Sequence, residues 1–440
     1  MSTTIEQPRQ FCTLGGQQSV LAIERAIPIV HGGPGCSAKL FGGMAFFNGF
    51  QGSGYAGGNA VVGTNSCEQD IVFGGEDRLR QVIDGALKVM DGDLFVVLTG
   101  CTADLVGDDT ATVVNEYRER GIPIVHASTG GFKGYNYRGH ELVVQAIIDQ
   151  FLEPAPEKIP NLVNVWSVLP YQDTFWAGNL RAIRQMIEGL GLEANILFGH
   201  DSGGIAAWKK IPAAAFNLVL SPWTGVTIAQ RLEERFGTPY LHHPILPIGA
   251  VETTRFLRAV GEFALIPQVT VDRYVEKQEA HFYHFLDRAA DFFMEMRWDL
   301  PARFINISDS FYSLGISRFL VNELGLLPGH QFVTDAPPEE CRPILTQQFA
   351  SLASKVSAEV TFSHDGGEIA RIIKSGTYSD PPLIIGTSWD RDLAKQVGGY
   401  HLSIALPITD RLVLDRAYVG YEGGLRLIED IYGAVLATYS

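Results

Sequence analysis

The chain is poor in the groups that would give it a self-contained chemistry. Five of its 440 residues are cysteine, and none lies between Cys101 and Cys341. No G-x-x-x-x-G-K-[S/T] occurs, so ATP is not expected to bind here through a P-loop. The 11 histidines include no H-E-x-x-H and no H-x-H pair. His242-His243 adjoins Pro244 and reads as a loop whose adjacent side chains point apart, which argues against joint metal ligation. No run approaches the ~18 apolar residues needed to cross a bilayer, and residues 1–9 are polar, without the apolar core of an export signal. We therefore expect a cytoplasmic protein in a reducing compartment, whose cysteines are buried thiols or ligands and not a disulfide framework. A net charge of -15 excludes nucleic acid and anionic membrane as main partners.

What is there is an alternation of short apolar runs with amphipathic segments, the pattern of βαβ units and parallel sheets. Strands are expected near residues 26–30, 94–98, 122–126, 164–168, 194–197, 216–220, 239–241, 303–307, 331–334, 359–362, 383–385 and 401–404. Helices are expected between them, for example over 76–90, 140–151, 174–189 and 423–438, with one long helical stretch over 271–298. Pro154-Ala-Pro156 and Leu300-Pro-Ala-Arg303 mark boundaries. The expected domains are 1–158, 159–299 and 300–440.

Three cysteines sit in glycine: Cys12 in F-C-T-L-G-G, Cys36 in H-G-G-P-G-C-S and Cys101 in L-T-G-C-T-A-D. Cys36 and Cys101 follow apolar strands, at the end where open parallel sheets place their ligands. Helix N-termini favour thiolate, the form that binds metal. Glycine lets backbone N–H groups approach inorganic sulfur, and cysteine thiolates hold iron–sulfur clusters. Read singly, each of the three is more readily a buried inert thiol. Read together on the residues alone, a shared cluster and three inert thiols stand level. If they are ligands, something outside this chain completes the set. Cys67, in a polar turn, and Cys341, in a Pro-Glu loop, read as non-ligands.

Other motifs carry less. Gly52-Ser-Gly54-Tyr-Ala-Gly57 matches G-x-G-x-x-G but neither follows a clear strand nor opens a clear helix, so a dinucleotide fingerprint is not supported. His200-Asp-Ser202-Gly-Gly204 reads as a glycine-rich loop without a nucleophile elbow. His31 and His126 end strands near the cysteine loops; each is a satisfied buried histidine at least as readily as a group that hydrogen-bonds near a cluster.

The cysteine settings, in order, resemble nitrogenase component 1 and its relatives. I-P-I-V-H-G-G-P-G-C at 27–36, D-I-V-F-G-G at 70–75 and T-G-C-T-A-D-L-V-G-D-D at 99–109 carry the likeness. V-G-Y-E-G-G-L at 419–425 resembles the β-type ending. The resemblance implies an α/β fold of three Rossmann-like domains with parallel sheets flanked by helices. It implies that Cys12, Cys36 and Cys101 are the β-side ligands of a P-cluster, an iron–sulfur cluster of eight-iron or four-iron type shared with an α-type subunit. It further implies an α2β2 heterotetramer served by an ATP-hydrolysing homodimeric iron protein. The catalytic cofactor belongs to the α-type chain, whose middle-domain cysteine has no counterpart here. The additional serine ligand of the family falls at Ser128 or Thr129, in an ambiguous register. The glycine-rich stretch after Cys36, and a Cys12 that comes almost at once, depart from diazotrophic β subunits. They resemble methylthio-alkane reductases, which imply reductive C–S cleavage of small thioethers. A molybdenum-independent nitrogenase β subunit and a non-catalytic cofactor-assembly scaffold are the alternatives.

Overall fold

The computed structural model describes residues 4–51 and 61–438. The stretch Gly52-Ser-Gly54-Tyr-Ala-Gly57 lies outside the described residues. Among the described residues fourteen strands form three sheets, and every strand pairing in them is parallel. The first contains β1 (Ala26–His31), β2 (Val62–Gly63), β3 (Leu94–Thr99) and β4 (Ile124–Ala127), in the order β2-β1-β3-β4. The second contains β5 (Ile159–Trp166), β6 (Glu193–Asn195), β7 (Ala214–Leu220) and β8 (Tyr240–His243), in the order β6-β5-β7-β8. The third contains β9 (Arg303–Ser308), β10 (Leu327–Pro328), β11 (Gln331–Val333), β12 (Val360–Phe362), β13 (Leu383–Gly386) and β14 (Tyr400–Ser403). Its order is β12-β11-β9-β13-β14, with β10 also paired to β9.

The uninterrupted apolar runs are explained by burial on both sheet faces. In β3 the side chains alternate. Leu94, Val96 and Leu98 join a core continuous with residues of the other two sheets. Phe95 and Val97 face the other way, onto Leu79, Ile83 and Ala86 and onto Val113, Val114 and Tyr117. Those residues recur at helical spacing on the helices Glu76–Val89 and Thr110–Glu119, which cover that face. The third sheet repeats the scheme: Phe304, Leu383 and Ile385 join the common core, while Ile305, Ile307 and Ile384 face a separate cluster.

Three local expectations are corrected. His242 and His243 are not in a loop but end β8, where strand alternation leaves His242 exposed and buries His243. The single long helix over 271–298 is two, Gln268–Arg288 and Ala290–Met296, joined at Ala289, whose N–H bonds to Leu286 O at 3.0 Å. The break lets the neighbours Phe292 and Phe293 both reach the Tyr432 ring, at 5.6 and 5.1 Å. β5 starts at Ile159, earlier than the apolar run suggests, because Ile159 pairs with Ala214 across a register shift. No helix among the described residues is long and apolar enough to cross a membrane.

Candidate metal centre

β1 and β3 run side by side in register, with His31 opposite Thr99. The loops that leave their C-terminal ends therefore emerge together. The β1 loop turns into the helix Pro34–Phe47, which carries Cys36 in its first turn. The β3 loop turns at Gly100 into the helix Cys101–Val106. Glycine allows the two loops to touch: a Cβ at Gly32 would lie 3.3 Å from Gly100 Cα, and one at Gly100 would lie 3.9 Å from Cys36 Sγ.

Cys12 arrives by a different route. It precedes the 3-10 turn Thr13–Gly15 and the short helix Gly16–Leu21, which packs on the helix Asn136–Phe151. The crossing is so close that a Cβ at Gly139 would lie 1.8 Å from Thr13 O. The Asn136 amide then holds the loop: Phe11 N–H donates to Asn136 Oδ1 at 3.0 Å, and Asn136 Nδ2 donates to Gln172 Oε1 at 2.6 Å. Gln172 Nε2 donates in turn to Gly15 O at 3.3 Å. Cys12 itself bridges Tyr135 as an antiparallel pair.

Gly131 lies between two of the thiols. Its N–H donates to Cys101 Sγ at 3.1 Å, and a Cβ there would sit 3.1 Å from Cys101 Sγ and 3.4 Å from Cys12 Cβ. Burial pushes the Cys12 thiol up. The Leu14 N–H works against this, while negative charge on Cys101 and Cys36 pushes it further up. The three sulfurs are thus within electrostatic reach of one another, and a thiolate set of this kind is stabilised by positive charge among its members. Among the described residues no three His, Cys, Asp or Glu side chains sit close enough to hold a single metal ion. The donors fit a larger group spread between them: soft sulfur ligands, a backbone N–H aimed at one sulfur, and glycine where a Cβ would intrude. Cys12 and Cys101 are exposed and Cys36 is half-buried, so the set opens outward.

The remaining sequence motifs have structural work nearby. His31 is fully buried, with Nδ1 3.2 Å from Thr64 Oγ1 and Nε2 2.9 Å from Asp108 Oδ2. Asp108 Oδ1 accepts from Gly75 N–H at 3.0 Å, and a Cβ at Gly75 would lie 2.7 Å from the His31 ring. The His-Gly, Phe-Gly-Gly and Gly-Asp-Asp motifs are thereby one buried brace under the cysteine loops. His126 is tied to Gln150, and its burial pushes its pKa down. Thr129 Oγ1 donates to Thr99 O at 2.8 Å, and Ser128 Oγ donates to the Asp104 carboxylate at 2.9 Å. Asp104 also pairs with Lys133 at 2.8 Å and accepts from Gly130 N–H at 3.0 Å. Burial alone would raise the Asp104 carboxyl. Hydrogen bonds from Lys133, Thr99, Ser128 and Gly130 more than offset it and hold it below the usual carboxylate range.

Cys67 is exposed at the N-cap of the helix Glu68–Phe73, where Asp70 accepts its N–H at 2.8 Å. Cys341 precedes the helix Arg342–Ala350, and burial pushes its thiol up. His200 is exposed, and Ser202 caps a glycine turn through Gly204 N–H.

Sequence reasoning missed Asn136, Gln172, Asp104 and Lys133, all polar residues whose partners are distant in the chain. It also missed an exposed apolar rim. Phe73 is 82% exposed and Leu105 73% exposed, joined by Val72, Val106 and Phe132. The helix Glu68–Phe73, which carries Val72 and Phe73, packs on the helix that begins at Cys101. Large exposed apolar patches mark interaction sites.

The comparisons with known proteins agree with this geometry. Residues 12–436 match the family described as Nitrogenase component 1 type Oxidoreductase. The chain is 24% identical over 474 residues to a nitrogenase molybdenum-iron protein beta chain of Methanococcus maripaludis, covering 99% of this chain and 96% of that one. It is 29% identical over 268 residues to a nitrogenase iron-molybdenum cofactor biosynthesis protein NifE of the same organism, covering 58% of this chain and 51% of that one. A solved structure titled "Nitrogenase Cp1 at pH 6.5" superposes with a TM-score of 0.82 at 19% identity, covering 100% of this chain and 95% of that one, which shows the shared fold. The chain belongs to the nitrogenase component 1 family of oxidoreductases, with β-chain relatives matching along nearly its whole length.

Proposed function

We propose that this chain is the β-type subunit of a nitrogenase-like two-component reductase and serves as an electron relay. It is read as three α/β domains, 1–158, 159–299 and 300–440, with Cys12, Cys36 and Cys101 on the first. An α-type partner would complete the ligand set and carry the catalytic cofactor, in an α2β2 assembly supplied with electrons by an ATP-hydrolysing iron protein. The observation that carries the reading is the convergence of three glycine-set thiols on one outward-facing surface. The exposed apolar rim beside them supports a protein partner at that surface.

When bound there, an iron–sulfur cluster supplies a one-electron carrier. The chain's own residues would seat and tune it. The Gly131 N–H stabilises negative charge on Cys101 Sγ. The first turn of Pro34–Phe47 does the same for Cys36. The Leu14 N–H acts in the same sense on Cys12.

The finer reading is a methylthio-alkane reductase, with reductive C–S cleavage of small thioethers as its reaction. It rests on the resemblance around Cys36. The test is anaerobic co-purification with the α-type partner and the iron protein, iron and sulfide analysis, and parallel assays on a thioether, dinitrogen and acetylene. Thioether cleavage as the dominant activity supports the reading, and dominant dinitrogen reduction overturns it. The likeness to NifE favours a second reading, an assembly scaffold. A scaffold would transfer its metal group to another protein and show little turnover of any of the three substrates.

A further inference from the structure

Residues 6–10 cross the third sheet before the chain reaches Cys12. They lie against the loops that leave the C-terminal ends of β11, β12 and β13, the edge where open parallel sheets place their ligands. Here the occupant is a segment of the same chain. Gly366 N–H donates to Glu6 O at 2.8 Å, and Glu6 N–H donates to Asp365 Oδ1 at 3.1 Å. Arg9 N–H donates to His364 O at 3.0 Å, and Gln10 Nε2 donates to Thr334 O. The Arg9 guanidinium donates to Asp390 through both Nη atoms, at 2.7 and 3.2 Å, and to Thr387 Oγ1. Both members of this ion pair are almost wholly buried, and the guanidinium lies 5.7 Å from the Trp389 ring centre. The seat is tight: a Cβ at Gly366 would lie 2.9 Å from Arg9 Nη2 and 2.9 Å from Gln7 Cβ.

Arg9 precedes Cys12 by three residues, a stretch of chain that spans at most about 10 Å. Cys12 therefore stays near this edge while Arg9 is held. A second path closes the circuit. His364, whose carbonyl holds Arg9, places its ring Nε2 3.1 Å from Tyr135 Oη, and Tyr135 is the residue paired with Cys12. Cys36 and Cys101 ride on loops of the first sheet. Cys12 is held between the helix Asn136–Phe151 on one side and the third sheet on the other.

We propose that Arg9 is a positioning residue for Cys12: through residues 6–10 the third sheet sets where the Cys12 sulfur stands relative to Cys36 and Cys101. The role in tuning a cluster rests on the reading of Cys12 as a ligand. A cluster's potential follows its net charge, the hydrogen bonds to its sulfurs and their solvent exposure. Releasing the strap changes that setting without removing a sulfur.

Two variants release the strap by different means. Arg9→Ala removes the buried cation and leaves Asp390 without its partner, which is strongly destabilising in its own right. Gly366→Ala keeps both members of the pair and adds one methyl group under the strap, in the first turn of the helix Gly366–Ser375, where alanine is a better helix former than glycine. In the iron-free full chain, iodoacetamide labelling of each cysteine is followed by mass spectrometry. Thiols react as thiolates and according to their access, and burial pushes the Cys12 thiol up. Both variants should therefore label Cys12 several-fold faster than wild type, with Cys36 and Cys101 at wild-type rates. An unchanged Cys12 rate, or equal rises at all three, overturns the proposal. In the anaerobic complex with the α-type partner, Gly366→Ala should keep its iron and shift the reduction potential of the cluster. Retained iron at the wild-type potential overturns the positioning role. Full iron in Cys12→Ala would instead refute the ligand reading, and the labelling rates would still judge the tether by themselves.

Discussion

The first sheet and the pair formed by the second and third end in the same way topologically and in opposite ways chemically. All present loops from the C-terminal ends of parallel strands. At the first sheet those loops are glycine and cysteine, open to the surface, with an exposed apolar rim. At the other two they bring together the Asp173 and Asp309 carboxyls and the Tyr312 phenol, which help line a small cavity of about 10 Å³. A loop that must meet a foreign group keeps donors unused and removes Cβ atoms. A loop that must join two sheets of its own chain satisfies every donor it can internally. The difference supports the proposed metal centre at the first region.

Removing a thiol breaks the comparison hardest. Cys101→Ala, purified anaerobically with its partner, should lose most of its cluster iron and its reductase activity together. Full iron with normal activity would refute the ligand assignment. Gly139→Ala comes next. Its methyl group would lie 1.8 Å from Thr13 O, so the helix that seats Cys12 must shift. Overpacking of this kind costs about 1–3 kcal/mol or more. Both the denaturation midpoint and the iron content should fall, whereas a wild-type midpoint would show the crossing to be looser than described.

How much of this was legible beforehand follows from how local each signal is. The three cysteines, the strands before Cys36 and Cys101, and the α/β class are written in contiguous residues and were readable. The brace of His31, Asp108 and Gly75 was visible as three motifs but not as one object, because its members are 33 to 77 residues apart in sequence. Asn136 and Gln172 were invisible, since nothing near either names Phe11 or Gly15 as its partner. The rim at Ile71–Phe73 hid for another reason: a short apolar run reads as core until a helix turns it outward. The His242-His243 loop was misread because Pro244 suggested an early stop to β8.

Two smaller changes sharpen the comparison. Asp104→Asn removes the Lys133 ion pair and weakens the bonds that hold residues 128–131 beneath Cys101. Because Asp104 is held below its ordinary range, its contribution is present above the unfolded value and lost as pH falls through the folded one. The variant should therefore be about 1–2 kcal/mol less stable than wild type at neutral pH, with the gap closing under strong acid. A gap independent of pH would assign the effect to packing.

The smallest expected effect is the most discriminating. Cys67 is as exposed as Cys12 and Cys101, so exposure alone cannot mark a ligand. It differs in its setting: it begins a helix whose cap is closed by Asp70, and no glycine N–H is aimed at its sulfur among the described residues. Cys67→Ser preserves a side chain that caps well and should leave cluster iron unchanged and stability within about 0.5 kcal/mol. Iron loss comparable to that of Cys101→Ala would mean that surface thiols are recruited wherever they occur on this face, and the glycine settings would then lose their role in choosing among them.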